Sequence, residues 1–248
     1  MKNINSALII CAAMASSVSF AEMTSEPERK KIEIQLQKQR HALTEQQKDI
    51  ALIAANAAVG EMQGLRTALE RGLDAGLTLS DCKEVLVQLY AYAGFPRSLN
   101  ALTELMKLAE TRQQQGKQDA VGNDPNPMPS AEAMLAAGTQ NQTALVGAPV
   151  KGLIFEFAPA IDQYLKSHLF GDIFARDNLS WKNRELATVG ALSAMSGVES
   201  QLKSHLNVSM NVGFSADQLA ELVPFFEAQG QNNTAERLAS ALLAVRQD

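Results

Sequence analysis

Apolar positions along most of this chain recur at intervals of three and four residues, the spacing of amphipathic helices. After Thr44, the residues Ile50, Ile53 and Ala57 share one face, and Gly60 ends the run. Thr44 with Gln47 three residues later is a capping-box signal for its start. Met62, Leu65, Leu69 and Leu73 give a second helix, stopped by Gly76. Ser80 is placed to cap a third, over 81–93, with acidic residues at its positive end. Gly94-Phe95-Pro96 predicts a stop and a restart, because Pro suits a first helical turn. A fourth helix, over 97–113, shows Leu99, Leu102, Leu105 and Met106 on one side.

Between residues 115 and 150 the rhythm fails. Gly, Asn and Pro dominate, which reads as a linker or crossover with a short helix at 130–137. The helical spacing returns with Ile154, Phe157, Ile161, Tyr164, Leu165 and Leu169, and Phe170-Gly171-Asp172 ends or bends it. Ser180 caps a helix carrying Leu186, Val189 and Leu192, and Gly197 breaks it. Val198, Leu202, Leu206 and Met210 form the next apolar file, up to Gly213. Ser215 with Gln218 is a second capping box, opening a helix to 228, and Thr234 caps a last helix to 245.

These two runs match each other. Gly60, Leu65, Leu69, Gly76 and Glu84 correspond to Gly197, Leu202, Leu206, Gly213 and Glu221 at one constant offset. The preceding helix needs a one-residue shift, which sets Thr44 on Ser180 and Asp49 on Glu185; His205 then falls on Ala68. The expectation is an all-α protein of duplicated helical repeats. Residues 43–114 form the first repeat, 115–152 a linker or crossover, and 153–248 the second repeat. Neither copy can bury its apolar stripe alone, so the two should pack about a pseudo-twofold axis. Apolar faces left over favour a homo-oligomer.

Composition narrows the picture. The chain has 248 residues, 46% of them hydrophobic, which suits a globular protein with a sizeable core. Net charge is −5 without a dense basic cluster, so nucleic acid is not an expected partner. The first 21 residues read as a signal peptide: Lys2, an apolar run from Ala7 to Ala15, and Ser19-Phe20-Ala21 as the cleavage site. Cleavage after Ala21 makes the protein periplasmic or secreted, with no membrane association, and leaves 22–42 as a polar arm or helix. Cys11 departs with the signal. Cys82 then has no partner for an intrachain disulfide, and Asp81 and Glu84 beside it raise its pKa. It reads as structural.

The chemistry-bearing residues gather late in the chain. His205 lies three residues after Leu202 and seven after Val198, at the edge of a buried face. A histidine there can hold a proton near neutral pH and return it to carbon or oxygen, or it can be a core histidine with satisfied hydrogen bonds. Glu185, near a helix start, can orient His205 or act as a base, or simply form a salt bridge. Arg176 and Arg184 can grip a substrate carboxylate in two-pronged contacts, or form surface ion pairs. Glu84, Gln88 and Tyr92 form one file on their helix, a pocket wall or a polar flank. Trp181 and Phe170 should pack the joint, and His168 should be structural. His168, Glu185 and His205 match no zinc spacing, so no metal is expected. Dinucleotide, phosphate-loop and serine-nucleophile fingerprints are missing, and no cofactor is expected.

Three stretches resemble the carboxymuconolactone decarboxylase family, an all-helical group with an alkylhydroperoxidase-like bundle. His168 to Arg176 followed by Asn183 to Val189 looks like the family's first helix pair. Gln201 to Leu206, running on to Asn211-Val212-Gly213-Phe214, looks like its histidine helix. Glu84-Val85-Leu86 with Tyr92 to Pro96 looks like its closing motif. The resemblance implies a cofactor-free acid–base lyase or isomerase acting on a small carboxylate or lactone-like molecule. His205 and Glu185 would be the catalytic pair, with Glu84, Tyr92, Arg176 and Arg184 binding substrate. Peroxidase members carry a CxxC pair where this chain has Ser200 to Lys203, so thiol chemistry is not implied here. A thiol peroxidase and a non-catalytic exported binding or assembly protein are the alternatives. Because the closing motif lies in the first repeat, a complete site needs residues of both repeats, within one chain or between subunits.

Overall fold

The computed structural model describes residues 42–247, together with Glu26, Pro27 and Lys30. The signal peptide with Cys11, the localisation it implies, most of the 22–42 arm, and His41 lie outside these residues. All regular elements among the described residues are helical. The first repeat contains α1 (Glu45–Val59), α2 (Met62–Asp74), α3 (Leu79–Gln88) and α4 (Tyr90–Gln114). A crossover helix α5 (Ala131–Val146) follows, then short helices α6 (Leu153–Phe157) and α7 (Pro159–Tyr164) and a π-helical segment, π1 (Leu165–Ile173). The second repeat continues with α8 (Trp181–Ala194), α9 (Glu199–Asn211), α10 (Ala216–Ala220), α11 (Leu222–Ala228) and α12 (Asn232–Val245).

Local chemistry sets the boundaries. Thr44 and Gln47 close a capping box at α1, and Ser215 and Gln218 do the same at α10. Ser180 caps α8 through the Asn183 N–H. Two expected caps move. Thr78, not Ser80, caps α3: its hydroxyl accepts from the Asp81 N–H at 3.0 Å, and the Asp81 carboxylate accepts from the Thr78 N–H at 2.9 Å. Ser80 instead donates to the Asn123 carbonyl. Helix α12 begins at Asn232, which leaves Thr234 buried inside it. The expected single helix over 216–228 is two, because the chain shifts at Glu221.

Gly94 stands at φ 81°, ψ 159° within α4, a conformation that only glycine adopts readily. The helix therefore kinks there, as the Gly-Phe-Pro stop and restart predicts. Ser98 anchors the restart by donating to the Leu86 carbonyl at 2.7 Å.

Helices α1 and α8 pack along one another at the centre, with α2 and α4 around α1 and α9 and α12 around α8. The centre is close-packed: a Cβ on Gly190 of α8 would sit 2.2 Å from the Ala51 carbonyl oxygen of α1. Ile50, Ile53, Leu65 and Leu69 of one half and Leu186, Val189, Leu202 and Leu206 of the other are all buried. Each such side chain contributes about 1.5–3 kcal/mol by leaving water. The repeats also reach across: α3 touches α8, and α11 touches α1. Accordingly Glu84 meets residues at the start of α8, while its counterpart Glu221 accepts from the Leu43 N–H at 3.2 Å, at the start of α1.

The crossover is more ordered than its composition suggests. The helix expected at 130–137 runs on to Val146 and packs against π1. Asn141 donates to the Phe170 carbonyl at 2.8 Å, supplying a partner inside the irregular helix. Leu145, Leu169, Phe170, Ile173, Phe174 and Val208 form a smaller apolar cluster there, with Trp181 against it. The indole N–H of Trp181 donates to the Phe174 carbonyl at 2.8 Å, so Trp181 and Phe170 do pack the joint. Leu153, Phe157 and Tyr164, on α6 and α7, are among the most exposed large apolar side chains.

Candidate functional site

Helix α9 follows α8 after a tight break at Gly197, and the two cross so that His205 meets Glu185. His205 Nδ1 lies 2.8 Å from Glu185 Oε2. The carboxylate is fully buried, while the histidine side chain keeps 13% of its surface exposed. A buried carboxylate on Nδ1 selects the tautomer that carries hydrogen there and leaves Nε2 bare. Among the described residues Nε2 has no hydrogen-bond partner. Tyr92, from the first repeat, stands edge-on to the imidazole, with ring centroids 5.7 Å apart at 80°. Its position follows from the Gly94 kink, which breaks α4 immediately after Tyr92 and Ala93.

Two buried polar atoms around this pair are unpaired: Tyr92 Oη and Glu185 Oε1. Burial, reinforced by the charge of Glu185, pushes the phenol well above its ordinary value, so Tyr92 stays protonated. Unsatisfied buried groups are uncommon, and at a site they mark positions where a water or a ligand completes the set.

On the far side of α8 lies a compact ion cluster. Glu84 receives Arg176 through Nε at 3.0 Å and Nη2 at 2.6 Å, and Arg184 through Nη2 at 2.8 Å. The Asn178 amide adds a contact at 3.1 Å. Burial pushes the Glu84 carboxyl up, but these donors outweigh it and hold the group at about 2. Arg184 is fully buried, and burial lowers its pKa against the opposing pull of Glu84. Gln88 ties the cluster to α8: its amide donates to the Arg184 carbonyl at 2.8 Å and to the Thr188 hydroxyl at 3.0 Å.

All six expected site residues thus lie in one region of one chain, built by both repeats. They divide into two groups. His205, Glu185 and Tyr92 form a group with one open nitrogen. Glu84, Arg176 and Arg184 form an ion cluster, in which the carboxylate gripped by the two arginines is Glu84 itself and Arg184 Nε and Asn178 Oδ1 are left without partners. Gln88 and Glu84 share α3, whereas Tyr92 stands in the first turn of α4, because the helix expected over 81–93 ends at Gln88. Thr188 and Asn178 went unmarked; Thr188 follows Arg184 by one turn, and that spacing was the available signal. His168 is exposed and bonds Asp172 through Nδ1 at 2.6 Å, a local contact within π1. A cavity of about 800 Å³ opens beside Glu84, Arg176 and Asn178, and His205 is not part of its lining.

Residues 159–244 match the profile of the carboxymuconolactone decarboxylase family. Over this segment, about a third of the chain, the sequence is similar to that family. The matched stretch contains His205 and Glu185 and leaves out Glu84 and Tyr92, which are supplied by the first repeat. Helix content and arrangement agree with a bundle of the carboxymuconolactone decarboxylase type. No curated protein matches the chain in sequence.

Proposed function

We propose that this protein is an acid–base lyase or isomerase acting on a small carboxylate or lactone-like molecule. The observation that carries the reading is the His205–Glu185 pair at 2.8 Å, with the outer imidazole nitrogen unpartnered at a partly exposed edge. In this reading Glu185 fixes the orientation of the ring. Nε2 takes a proton from the substrate or delivers one to it. When carbon dioxide leaves a substrate with a conjugated carbonyl, the electron pair moves onto that carbonyl, and protonation of carbon then completes the product. Such proton transfer contributes about a hundred- to ten-thousand-fold. The Tyr92 hydroxyl, protonated and without a partner, is the nearest neutral donor for a developing oxyanion.

Turnover of small unsaturated lactone acids, followed by carbon dioxide release and by loss of the conjugated absorbance, tests the reading. His205→Asn should lower kcat by about a hundredfold or more, and Glu185→Gln by less. Unchanged turnover in His205→Asn removes the histidine from the mechanism. Thiol peroxidase chemistry has no comparable support. Cys82 is fully buried in the main core, and its thiol is pushed up to about 12, first by burial and then by nearby carboxylates.

A further inference from the structure

Helices α3 and α4 turn one face each to the cavity of about 800 Å³. Leu79, Lys83, Glu84 and Val87 recur at helical spacing along one wall, and Leu102, Leu105, Met106 and Ala109 along the other. The segment over 117–124 lines a further side, and it is pinned to the start of α3. The Leu79 and Ser80 N–H groups donate to the Ala120 and Val121 carbonyls, each at 2.9 Å, and the Ser80 hydroxyl donates to the Asn123 carbonyl at 2.6 Å. The space is therefore built into the fold, and its volume falls in the range of small-molecule sites. Two of its apolar wall residues stay open to it and to solvent: Met106 is 56% exposed and Val121 68%.

The charges along the cavity are unevenly matched. Arg176 and Arg184 share a single carboxylate, that of Glu84, while Glu185, beside Arg184 in sequence, is turned to His205. The cluster thus holds one cation more than it holds anions. Arg176 spends Nε and Nη2 on Glu84; its Nη1 has no partner among the described residues, and its side chain is 31% exposed. Lys83, the residue before Glu84, lines the same cavity, is exposed and makes no ion pair among the described residues. The acids of the lining do not cancel these two cations. Glu84 is taken by the arginines and Asp119 by Arg112. Glu110 and Asp124 are exposed, where water and salt screen them, and Asp124 acts on Arg176 without coming within ion-pair distance. A cationic ligand would be repelled by Arg176 and Lys83. We propose that this cavity is a ligand site, separate from His205, for an amphipathic monocarboxylate, whose carboxylate meets Arg176 and Lys83 and whose aliphatic body lies along Leu79, Val87, Leu102 and Met106.

The test reads binding alone, so its failure leaves the proposed reaction at His205 untouched. Octanoate, at neutral pH and below its micelle-forming concentration, is titrated into the full chain and followed by calorimetry and amide chemical-shift NMR. The wild-type protein should bind it saturably, with shifts centred on Leu79, Val87 and Met106. Arg176→Gln should weaken binding by about tenfold, the loss of one charge-assisted contact. Lys83→Gln should weaken it by a smaller factor, and Asp124→Asn, which removes an opposing charge, should strengthen it. Met106→Glu should weaken it by setting an acid on the apolar wall. Lys83 and Met106 are exposed, so their variants keep the fold and read the site without disturbing the buried cluster. Absence of saturable binding to wild type, unchanged binding by Lys83→Gln and Met106→Glu, or weaker binding by Asp124→Asn overturns the proposal. Octanol binding as tightly as octanoate overturns it as well, because the charged end of the cavity would then select nothing.

Discussion

Replacing Glu84 with Gln keeps the shape of the side chain and removes its charge. The cost follows from two independent routes. First, Arg184 is fully buried and would lose its only carboxylate, and leaving one partner of a buried ion pair costs about 3–5 kcal/mol. Second, Glu84 titrates at about 2 in the folded protein against an ordinary 4.5, a difference of about 3 kcal/mol between charged and neutral forms. Arg176 is 31% exposed, so solvent screens its share, and the lower end of the range is the better value. The sign is fixed by linkage. A carboxyl depressed on folding stabilises the protein above its unfolded pKa, and that stability is lost as pH falls from 4.5 towards 2. At about pH 3.5 roughly 1.4 kcal/mol of it should be gone. Urea unfolding of wild type and Glu84→Gln at pH 7 and pH 3.5 measures this directly. At pH 7 the midpoint should fall by about 1 M, and the gap should narrow at pH 3.5. A gap of equal size at both values would mean that the cluster contributes by shape and not by charge.

Asp49 should behave with the opposite sign. Burial raises its carboxyl to about 6, so its contribution is present below 3.8 and lost as pH rises through 6. Asp49→Asn should therefore stabilise the protein at pH 7 by up to about 2–3 kcal/mol, less the lost Arg71 contact, and show no gain below about pH 4 in denaturant unfolding. Gly190→Ala should destabilise by about 1–3 kcal/mol, read as a lowered Tm, because its methyl meets the Ala51 backbone. Cys82 should react with a disulfide reagent only at the rate at which the protein unfolds, since its thiol is buried and held up to about 12.

Much of the fold was legible because the chain says most things twice. Thr44 and Ser180, or Gly60 and Gly197, are weak signals alone and strong ones at a shared offset. The same offset corrects one expectation: Ser215 maps onto Thr78, the observed cap, and not onto Ser80. What was not legible depends on tertiary contact. Residues 138–146 are rich in Gln, Asn and Thr and look like loop, yet Gln142 and Leu145 are buried and the helix continues because π1 covers it. Nothing in the sequence of 165–173 announces a π-helix. At the site, the grouping of the charged residues was not legible. Spacing places Arg176, Arg184 and Glu84 near a pocket. It does not show that α3 crosses to α8 and puts the acid between the two arginines.

Under the proposed reading, the contrast between the two halves explains why chemistry would belong to one of them. Each half buries an acid near the start of its central helix and brings a cationic or basic group to it from the next helix. In the second half that group is His205, 2.8 Å from Glu185. In the first half position 68 is alanine, and Arg71, three residues further along α2, reaches Asp49 at 2.9 Å instead. The substitution changes what the pair can do. An imidazole exchanges a proton within the physiological range, so its carboxylate partner tunes an event. A guanidinium stays charged at every accessible pH, so the same acid can only hold it in place. Arg71 is fixed further by Glu45 and by the Phe225 ring, 4.7 Å from its central carbon. The first copy is thereby held as an ion pair, while in the second the imidazole Nε2 has no hydrogen-bond partner among the described residues. Both central acids have a basic partner, and under the proposed reading the half whose partner keeps a bare ring nitrogen is the one equipped for proton transfer.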